Sequence, residues 1–394
     1  MTYDVIVVGA RVAGASTAML LARSGARVLL LDRARRGSDT VSTHALMRAG
    51  VLQLSRWGLL DRVVAAGTPP ITSTTFRYPE EEPVTVAIRP GPGVDALYAP
   101  RRTVLDAILV DAAVEAGVEV RHDTVVTGLL RSPSGRVRGV MTPRGELRAR
   151  VVVGADGIRS AVAQEVGARV LAAGRHGSAI RYTYLDVDVP GTEWLYGDGL
   201  AGGIIPTNGG VACVFVSSTP DRLRRRWSGT AERGWRAALE ELAPGHPVVG
   251  ARRVDRFHGW SGVPAYLREA SGPGWLLVGD AGFFKDPMST HGITDALRDA
   301  ELASRALLAG LDGGLDADLD ADLDADLDDS AALADYGRQR DLLALPMLEV
   351  SDQIAAYAWR GSGVAPLVKR LSAAMADEVT LLEALPAVGA HVSR

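Results

Sequence analysis

The sequence predicts an α/β protein organised around a doubly wound parallel sheet, with a second, mixed sheet inserted into it and a helical C-terminal region. Three features carry that expectation. Residues Asp4 to Val8 are an apolar, β-branched run that stops at Gly9; small residues, Leu20 and Leu21 then lead to Gly25, and Arg27 to Leu31 is a second apolar run. That succession reads as strand, helix, strand. Both runs are apolar on each face, as a parallel sheet covered by helices on both sides requires. Val151 to Val153 and Trp275 to Val278 repeat the buried-strand pattern far down the chain, so the first unit is expected to be discontinuous.

The other elements follow in order. Thr103 to Ala116 has helical periodicity, and Val118 to Val120, Val125 to Leu130 and Arg136 to Met141 alternate like short strands, with a turn at Ser132 to Gly135. Gly292 to Leu308 reads as an amphipathic helix carrying alternating charge. Ala331 to Leu345, stopped by Pro346, and Val364 to Leu385 read as closing helices. The expected division is 1–70 with 101–171 and 272–310 for the first unit, 71–100 with 172–271 for the inserted sheet, 311–330 for an acidic insertion, and 331–394 for the helical region. The insertion holds LDADLDADLDADLDD. Aspartate is a poor helix former and adjacent carboxylates repel, which favours a solvated or partly disordered segment over a leucine-striped helix. A calcium loop would need a glycine-containing turn.

Composition narrows the function. At 394 residues, 47% hydrophobic and 23% charged, the chain is long enough to enclose a small molecule within a core. A net charge of −4 and no Lys/Arg-rich tract argue against nucleic acid. Cys213 is the one cysteine, which excludes a disulfide framework and a multi-cysteine metal site and points to the cytoplasm. The opening MTYDVIVVGARVAG has no charged n-region or cleavage pattern and reads as a strand, neither signal peptide nor membrane span. No Ser/His/Asp order and no metal-ligand spacing suggests hydrolysis or a metal.

The most informative constellation is Gly9, Ala10, Arg11, Val12, Ala13 and Gly14 between strand and helix, followed by Asp32 and Arg33 after the next strand. Gly9 permits the tight turn and Gly14 the close approach of helix and strand. The helix N-terminus offers N–H groups to a pyrophosphate, and Asp32 can accept a ribose hydroxyl. Arg11 stands where the dinucleotide fingerprint has its second glycine, so its side chain must turn away or lie along the phosphates. Downstream, VVVGADGIRSAV ends a strand in Asp156 and Gly157, and WLLVGDAGFFKDPMSTHGITDALRDAE ends one in Gly279 and Asp280.

In this order of glycine loop, DG and GD the chain resembles the flavoprotein monooxygenases with the para-hydroxybenzoate hydroxylase fold, over roughly three quarters of its length. The resemblance implies a Rossmann-like FAD-binding domain. It implies that Asp280 bonds the ribityl or pyrophosphate portion and that Gly292 and Ile293 lie near the flavin pyrimidine edge, where a helix N-terminus favours the negative charge of reduced flavin. Arg48, in LMRAGVLQLSRWGLLDRV, matches the arginine that reaches the FAD phosphates, its alternative being a surface helix position. Arg101, opening RRTVLDAIL, matches a cofactor contact, and Arg102 is an equal candidate. His291 adds charge or a hydrogen bond at the flavin, or merely caps the helix. His44, in STHAL, faces the flavin or the substrate, or is a satisfied structural histidine. Asp286, Pro287, Met288, Ser289 and Thr290 depart from the family's more usual glycine-rich stretch.

The implied reaction uses NADH or NADPH to reduce FAD, after which O2 adds at flavin C4a and the hydroperoxide oxygenates a small aromatic or polyketide-like substrate held in a dry, apolar pocket. Tyr182, Tyr184, Trp194, Tyr196, His258 and Trp260 fall in the inserted sheet and are available to wall it. A separate flavin reductase is a possible partner. Three other classes share features. A reductase resembling geranylgeranyl reductases would move hydride without oxygen. A flavin-dependent halogenase would use a lysine in its N-terminal half and a WxWxIP motif, whereas the lysines here are Lys285 and Lys369 and that motif is missing. A non-catalytic flavin-binding protein would act through its acidic insertion.

Overall fold

The computed structural model describes residues 2–226, 231–311 and 330–386. The aspartate–leucine repeat lies outside the described residues. The first strand, Thr2–Val8, is buried along its whole length and pairs in parallel with Val28–Leu31 on one side and Gly145–Gly154 on the other. Trp275–Leu277 adds in parallel beyond Gly145–Gly154, and Glu119–Arg121 beyond Val28–Leu31. Ser271–Gly272, Val137–Thr142 and Gly128–Arg131 attach antiparallel and complete an eight-stranded sheet among the described residues.

The period of two along the strands divides the core. Val5, Val7, Leu30, Val151 and Val153 face the helices Val12–Arg23, Arg102–Glu115 and Gly292–Leu311, while Ile6, Val8, Leu29, Leu31 and Val152 face the opposite layer. Continuous apolar runs are therefore what this sheet needs, because neither face meets water.

A second sheet runs in the order Arg252–Arg253, Ala179–Asp186, Val211–Ser218, Ala201–Thr207, Thr192–Tyr196, Ser73–Arg77, Val84–Ala87, with His258–Trp260 also paired to Ala179–Asp186. It is mixed: Thr192–Tyr196 pairs in parallel with Ser73–Arg77 and antiparallel with Ala201–Thr207. Cys213 is a fully buried residue of its core. A third sheet of three short strands, Phe283–Phe284, Tyr266–Arg268 and Val170–Ala173, joins segments expected on both sides of the division.

Two expected boundaries are corrected. Val125 to Leu130 is not one strand; pairing begins at Gly128, and 124–127 is a loop. Pro346 does not stop a helix, because Ser330–Ala355 runs through it. Pro346, Leu342 and Leu345 face solvent while Ala344, Met347, Leu348 and Val350 are buried. Burial of that stripe outweighs the missing N–H and the ring's clash with the preceding turn. Pro346→Ala is expected to restore the bond to the Leu342 carbonyl and to raise stability by about 1 kcal/mol in urea unfolding. A lower midpoint would mean the proline is needed where it stands.

Candidate active site

The first parallel strand delivers the chain to Gly9 at φ 108°. A Cβ on Gly9 would lie 2.4 Å from the Ala155 carbonyl oxygen, and one on Gly14 would lie 1.8 Å from the Gly9 carbonyl oxygen. Both positions therefore require glycine, for the reasons of turn and close approach that the motif suggests. The helix Val12–Arg23 starts without a side-chain cap, so its first-turn N–H groups are available to an anion. The Asp32 carboxylate accepts the Ala10 and Ala34 N–H groups, each at 2.7 Å, and each oxygen retains a further acceptor position. Arg11 turns aside. Its guanidinium donates to Asp106 at 3.1 Å, to the Ser38 hydroxyl and to the Asp39 carbonyl.

From this loop a cavity of about 800 Å³ runs between the two large sheets, at the upper end of ordinary ligand sites. Gly9, Arg11, Val12, Ala13, Asp32 and Arg33 line one end; Asp156, Asp280, Gly292, Ile293, His291 and His44 line it further along. Ala10 and Gly14 shape the loop behind the wall. Arg48 and Arg101 are placed elsewhere. Arg48 donates to the Arg89 carbonyl at 2.5 Å, and the Arg101 guanidinium lies 3.9 Å from the Tyr184 ring centroid. Arg102 is the member of the arginine pair on the cavity wall, where it forms a forked ion pair with Asp106. Asp156 reaches the cavity, but its oxygens accept the Ser160 hydroxyl and the Ala161 and Val162 N–H groups and so cap the helix Ala161–Glu165.

Sequence reasoning missed several wall residues: Thr124, Val125 and Val126, the last two first read as strand, Arg159, and Lys285. For Lys285 a signal existed, since it is one of two lysines in the chain. Tyr182 and Trp260, two of the aromatics assigned to the inserted sheet, form the far wall with Ile180 and Phe284.

The family model described as "FAD binding domain" matches residues 2–324. The chain belongs to the FAD-binding family. The flavoprotein is 29% identical to the aklavinone 12-hydroxylase of Streptomyces peucetius over 91% of its own length and 75% of that protein's. It is 24% identical to the digeranylgeranylglycerophospholipid reductase of Thermoplasma acidophilum over 75% of each. PqsL of Pseudomonas aeruginosa, solved in complex with 2-aminobenzoylacetate, matches with a TM-score of 0.78 at 21% identity, covering 95% of this chain and 100% of that one. The flavoprotein is thus an FAD-dependent oxidoreductase of the hydroxylase-like fold. Among its described residues no helix is long and apolar enough to cross a membrane.

Behind the cavity, the start of the helix Gly292–Leu311 is held by buried charge. Arg298 donates to Asp295 at 2.8 Å, to Asp299 at 2.7 Å and to Glu378 at 3.3 Å, Lys285 pairs with Asp295, and His291 Nε2 bonds Glu378. The other Asp299 oxygen accepts the Gly279 N–H at 3.0 Å and so ties the helix to the GD turn. His291, Asp295 and Glu378 lie close enough to cage an ion, yet Arg298 and Lys285 already neutralise their oxygens.

Burial alone would raise the Glu378 carboxyl, but His291, Arg298 and Lys285 hold it down to about 2. An ionised Glu378 accepts, so Nε2 of His291 carries a hydrogen; burial lowers His291, against the pull of Glu378, and on the neutral ring Nδ1, buried and unpartnered, is the lone-pair nitrogen. Burial and Arg298 lower Lys285 to about 7. Burial lowers His44 to about 3, helped by Arg102 and Arg101. His44 and Thr290, both on the wall, hold left-handed backbone at φ 70° and 51°, a strain that persists at sites where the surroundings impose it.

Two outcomes test this electrostatic account. Glu378→Ala strands Arg298 and His291 and is expected to cost about 3 kcal/mol in urea unfolding; a change near zero would mean the cluster is not coupled to folding. Burial raises Asp280 from 3.8 to about 6, with Lys285 and Arg102 opposing. The folded chain then holds the extra proton between these values, so stability falls as pH rises through that window and the cost is complete above it. Asp280→Asn, without added FAD, is expected to raise the thermal midpoint at pH 7.5 by roughly 2 °C, with the gain gone below pH 4. A gain equal at both pH values would contradict this.

Proposed function

We propose that this flavoprotein is a monooxygenase that hydroxylates a small aromatic or polyketide-like molecule, with NADH or NADPH as reductant. The observation that carries the reading is the continuity of one cavity from the glycine loop, past Asp280 and the start of the helix Gly292–Leu311, to an aromatic wall of Tyr182, Trp260 and Phe284. The first stretch suits a dinucleotide. The last suits a planar organic molecule beside its reactive ring. The similarity to the aklavinone 12-hydroxylase supports the same assignment.

The chain's residues fit FAD. The loop from Gly9 to Gly14 and the uncapped helix behind it would take the pyrophosphate, Asp32 the adenosine ribose, and Arg102 the phosphates. Asp280, whose backbone carbonyl accepts the Tyr266 hydroxyl at 2.6 Å, would hold the ribityl chain with its side chain. Gly292 and Ile293 would meet the pyrimidine edge. His291 Nδ1, a buried acceptor without a partner, suits the isoalloxazine ring, whose oxidised form has its one N–H at N3. FAD, when bound, supplies the electrons and the site of O2 activation.

The protein's own work is to hold and to exclude. The N-terminus of the helix Gly292–Leu311 favours negative charge developing on a reduced ring next to it. Ile180, Tyr182, Trp260, Phe284 and Ile293 present apolar surface that keeps water from the reacting atoms. Cys213, the one thiol, is buried, which suits the cytoplasm.

The second reading is an FAD-dependent reductase that moves hydride without oxygen, supported by the similarity to the Thermoplasma reductase. Stopped-flow absorbance separates the two. FAD-loaded protein is reduced anaerobically with NADPH or NADH and mixed with oxygenated buffer. A transient spectrum distinct from oxidised and reduced flavin is expected, with one O2 consumed per nicotinamide oxidised when substrate is present. Slow return to oxidised flavin with no transient would transfer the assignment to the reductase.

A further inference from the structure

Val84–Ala87 is the outermost strand of the second sheet among the described residues, and every one of its residues is exposed. Its inner side pairs with Ser73–Arg77 without a register shift, and one step beyond that ladder the Ile88 N–H bonds the Thr72 carbonyl at 2.8 Å. Hydrogen-bonding residues alternate along an antiparallel pair, so Ile88, Val86 and Val84 turn their backbone groups inward. Thr85 and Ala87 turn theirs to the open edge. The Thr75 and Thr85 hydroxyls meet at 2.9 Å, the close side-chain approach of a pair that shares no backbone bonds. The edge therefore presents the N–H and C=O groups of Thr85 and Ala87 in strand geometry, ready for a further strand.

The side chains on this edge are apolar where a surface strand is ordinarily guarded. Val84 and Val86 are 52% and 49% exposed. They share a face with Phe76, which packs against the core of the second sheet. The strand carries neither a lysine nor a bulge, the usual guards of an edge. Charge stands at its two ends instead. Glu80, Glu81 and Glu82 precede it and Arg89 follows it, all exposed, and none forms an ion pair among the described residues. Arg48, whose guanidinium donates to the Arg89 carbonyl, adds a second cation at the far end.

We propose that Val84–Ala87 pairs antiparallel with the same strand of a second copy of this chain, about a two-fold axis at Val86, so that the second sheet runs on from one protomer into the other. The antiparallel two-fold sets the acidic end of each strand beside the basic end of the other, whereas a parallel contact would set carboxylates against carboxylates. The backbone selects the register. With Val86 opposite Val86, Thr85 of each copy exchanges its N–H and C=O bonds with Ala87 of the other. The next facing pair is Pro83 with Arg89, where the N–H that proline lacks would have met a carbonyl already held by Arg48. A slip by two residues in one direction opposes Pro83 to Ala87 and leaves the Ala87 carbonyl unmet. In the other direction it brings the Thr85 N–H to the carbonyl that Arg48 holds. In the chosen register Val84, Val86 and Ile88 of both copies form one apolar strip on the Phe76 face. A contact of this size suits a dissociation constant on the order of 10 µM.

The test uses full-length, FAD-loaded protein. Sedimentation velocity is expected to show a dimer that grows in between about 1 and 100 µM. Thr85→Pro removes an outward N–H and no inward bond, and is expected to raise the dissociation constant at least about tenfold while changing FAD affinity by less than about twofold. Arg89→Glu is expected to weaken the dimer about threefold, and Glu81→Arg added to it to recover most of that loss. Cys213, the native thiol, is buried, so a cysteine placed on the edge reports the register. Val86→Cys meets its copy across the axis at about 5 Å between Cβ atoms and is expected to form an intermolecular disulfide on mild oxidation. Val84→Cys lies about 14 Å from its copy and is expected to give at least about fivefold less. A protein that stays monomeric at about 100 µM would overturn the proposal and leave the edge to a strand of another polypeptide. Equal crosslinking of the two cysteines, or a dimer that Thr85→Pro leaves intact, would put the contact elsewhere on the molecule and overturn it too. If Thr85→Pro does not fold, the cysteine comparison still decides.

Discussion

Arg298 organises the end of the cavity at which the helix Gly292–Leu311 begins. It lies on the helix Gly292–Leu311, fully buried, and its guanidinium is shared by Asp295, Asp299 and Glu378. Asp299 passes the constraint to Gly279 and so to the GD turn, and Glu378 passes it to His291 and the C-terminal helix Ala365–Ala384. A charge taken this far from water is tolerable only when its hydrogen-bonding positions are met. The acids are as dependent on Arg298 as it is on them. Consequently the helix start, the GD turn and the C-terminal helix take one mutual arrangement, and the part of the cavity wall that the first two form is held by it.

Several features of that wall are unfavourable to folding taken alone. His44 and Thr290 hold left-handed backbone without being glycine. Asp280 is raised by burial, and unpartnered nitrogens of His44, His291 and Trp260 lie on the cavity's lining residues. Nothing comparable occurs along the parallel strands, where Ile6, Leu29 and Val152 are fully buried apolar residues in a closed layer. Stability is supplied by the sheet and its helices, and these unfavourable features fall on residues of the cavity wall.

The fold was largely legible because its signals are local. Parallel strands buried on both faces must be apolar throughout, so Asp4 to Val8, Arg27 to Leu31, Val151 to Val153 and Trp275 to Val278 stand out from any neighbours. Pro346 misled because its effect on a helix is also local, whereas the packing of Met347 and Leu348 that overrides it comes from elsewhere in the chain. Val125 misled likewise: an apolar alternation looks the same whether it pairs in a sheet or lines a cavity.

For the cavity, the sequence was enough to mark wall residues in the glycine loop, Asp32, Asp280 and the start of the helix Gly292–Leu311, because each is bound to a strand end or helix start that periodicity locates. It was not enough to separate Arg101 from Arg102, to turn Arg48 away from the cavity, or to pair His291 with Glu378 across 87 positions. Those outcomes depend on which side chains reach a common space once distant elements pack. The hydrogen bond of His44 depends in the same way on Tyr184, a residue of the second sheet. Spacing along a chain carries the period of one element. Contacts between elements, and the protonation states they impose, exist only after the chain has closed on itself.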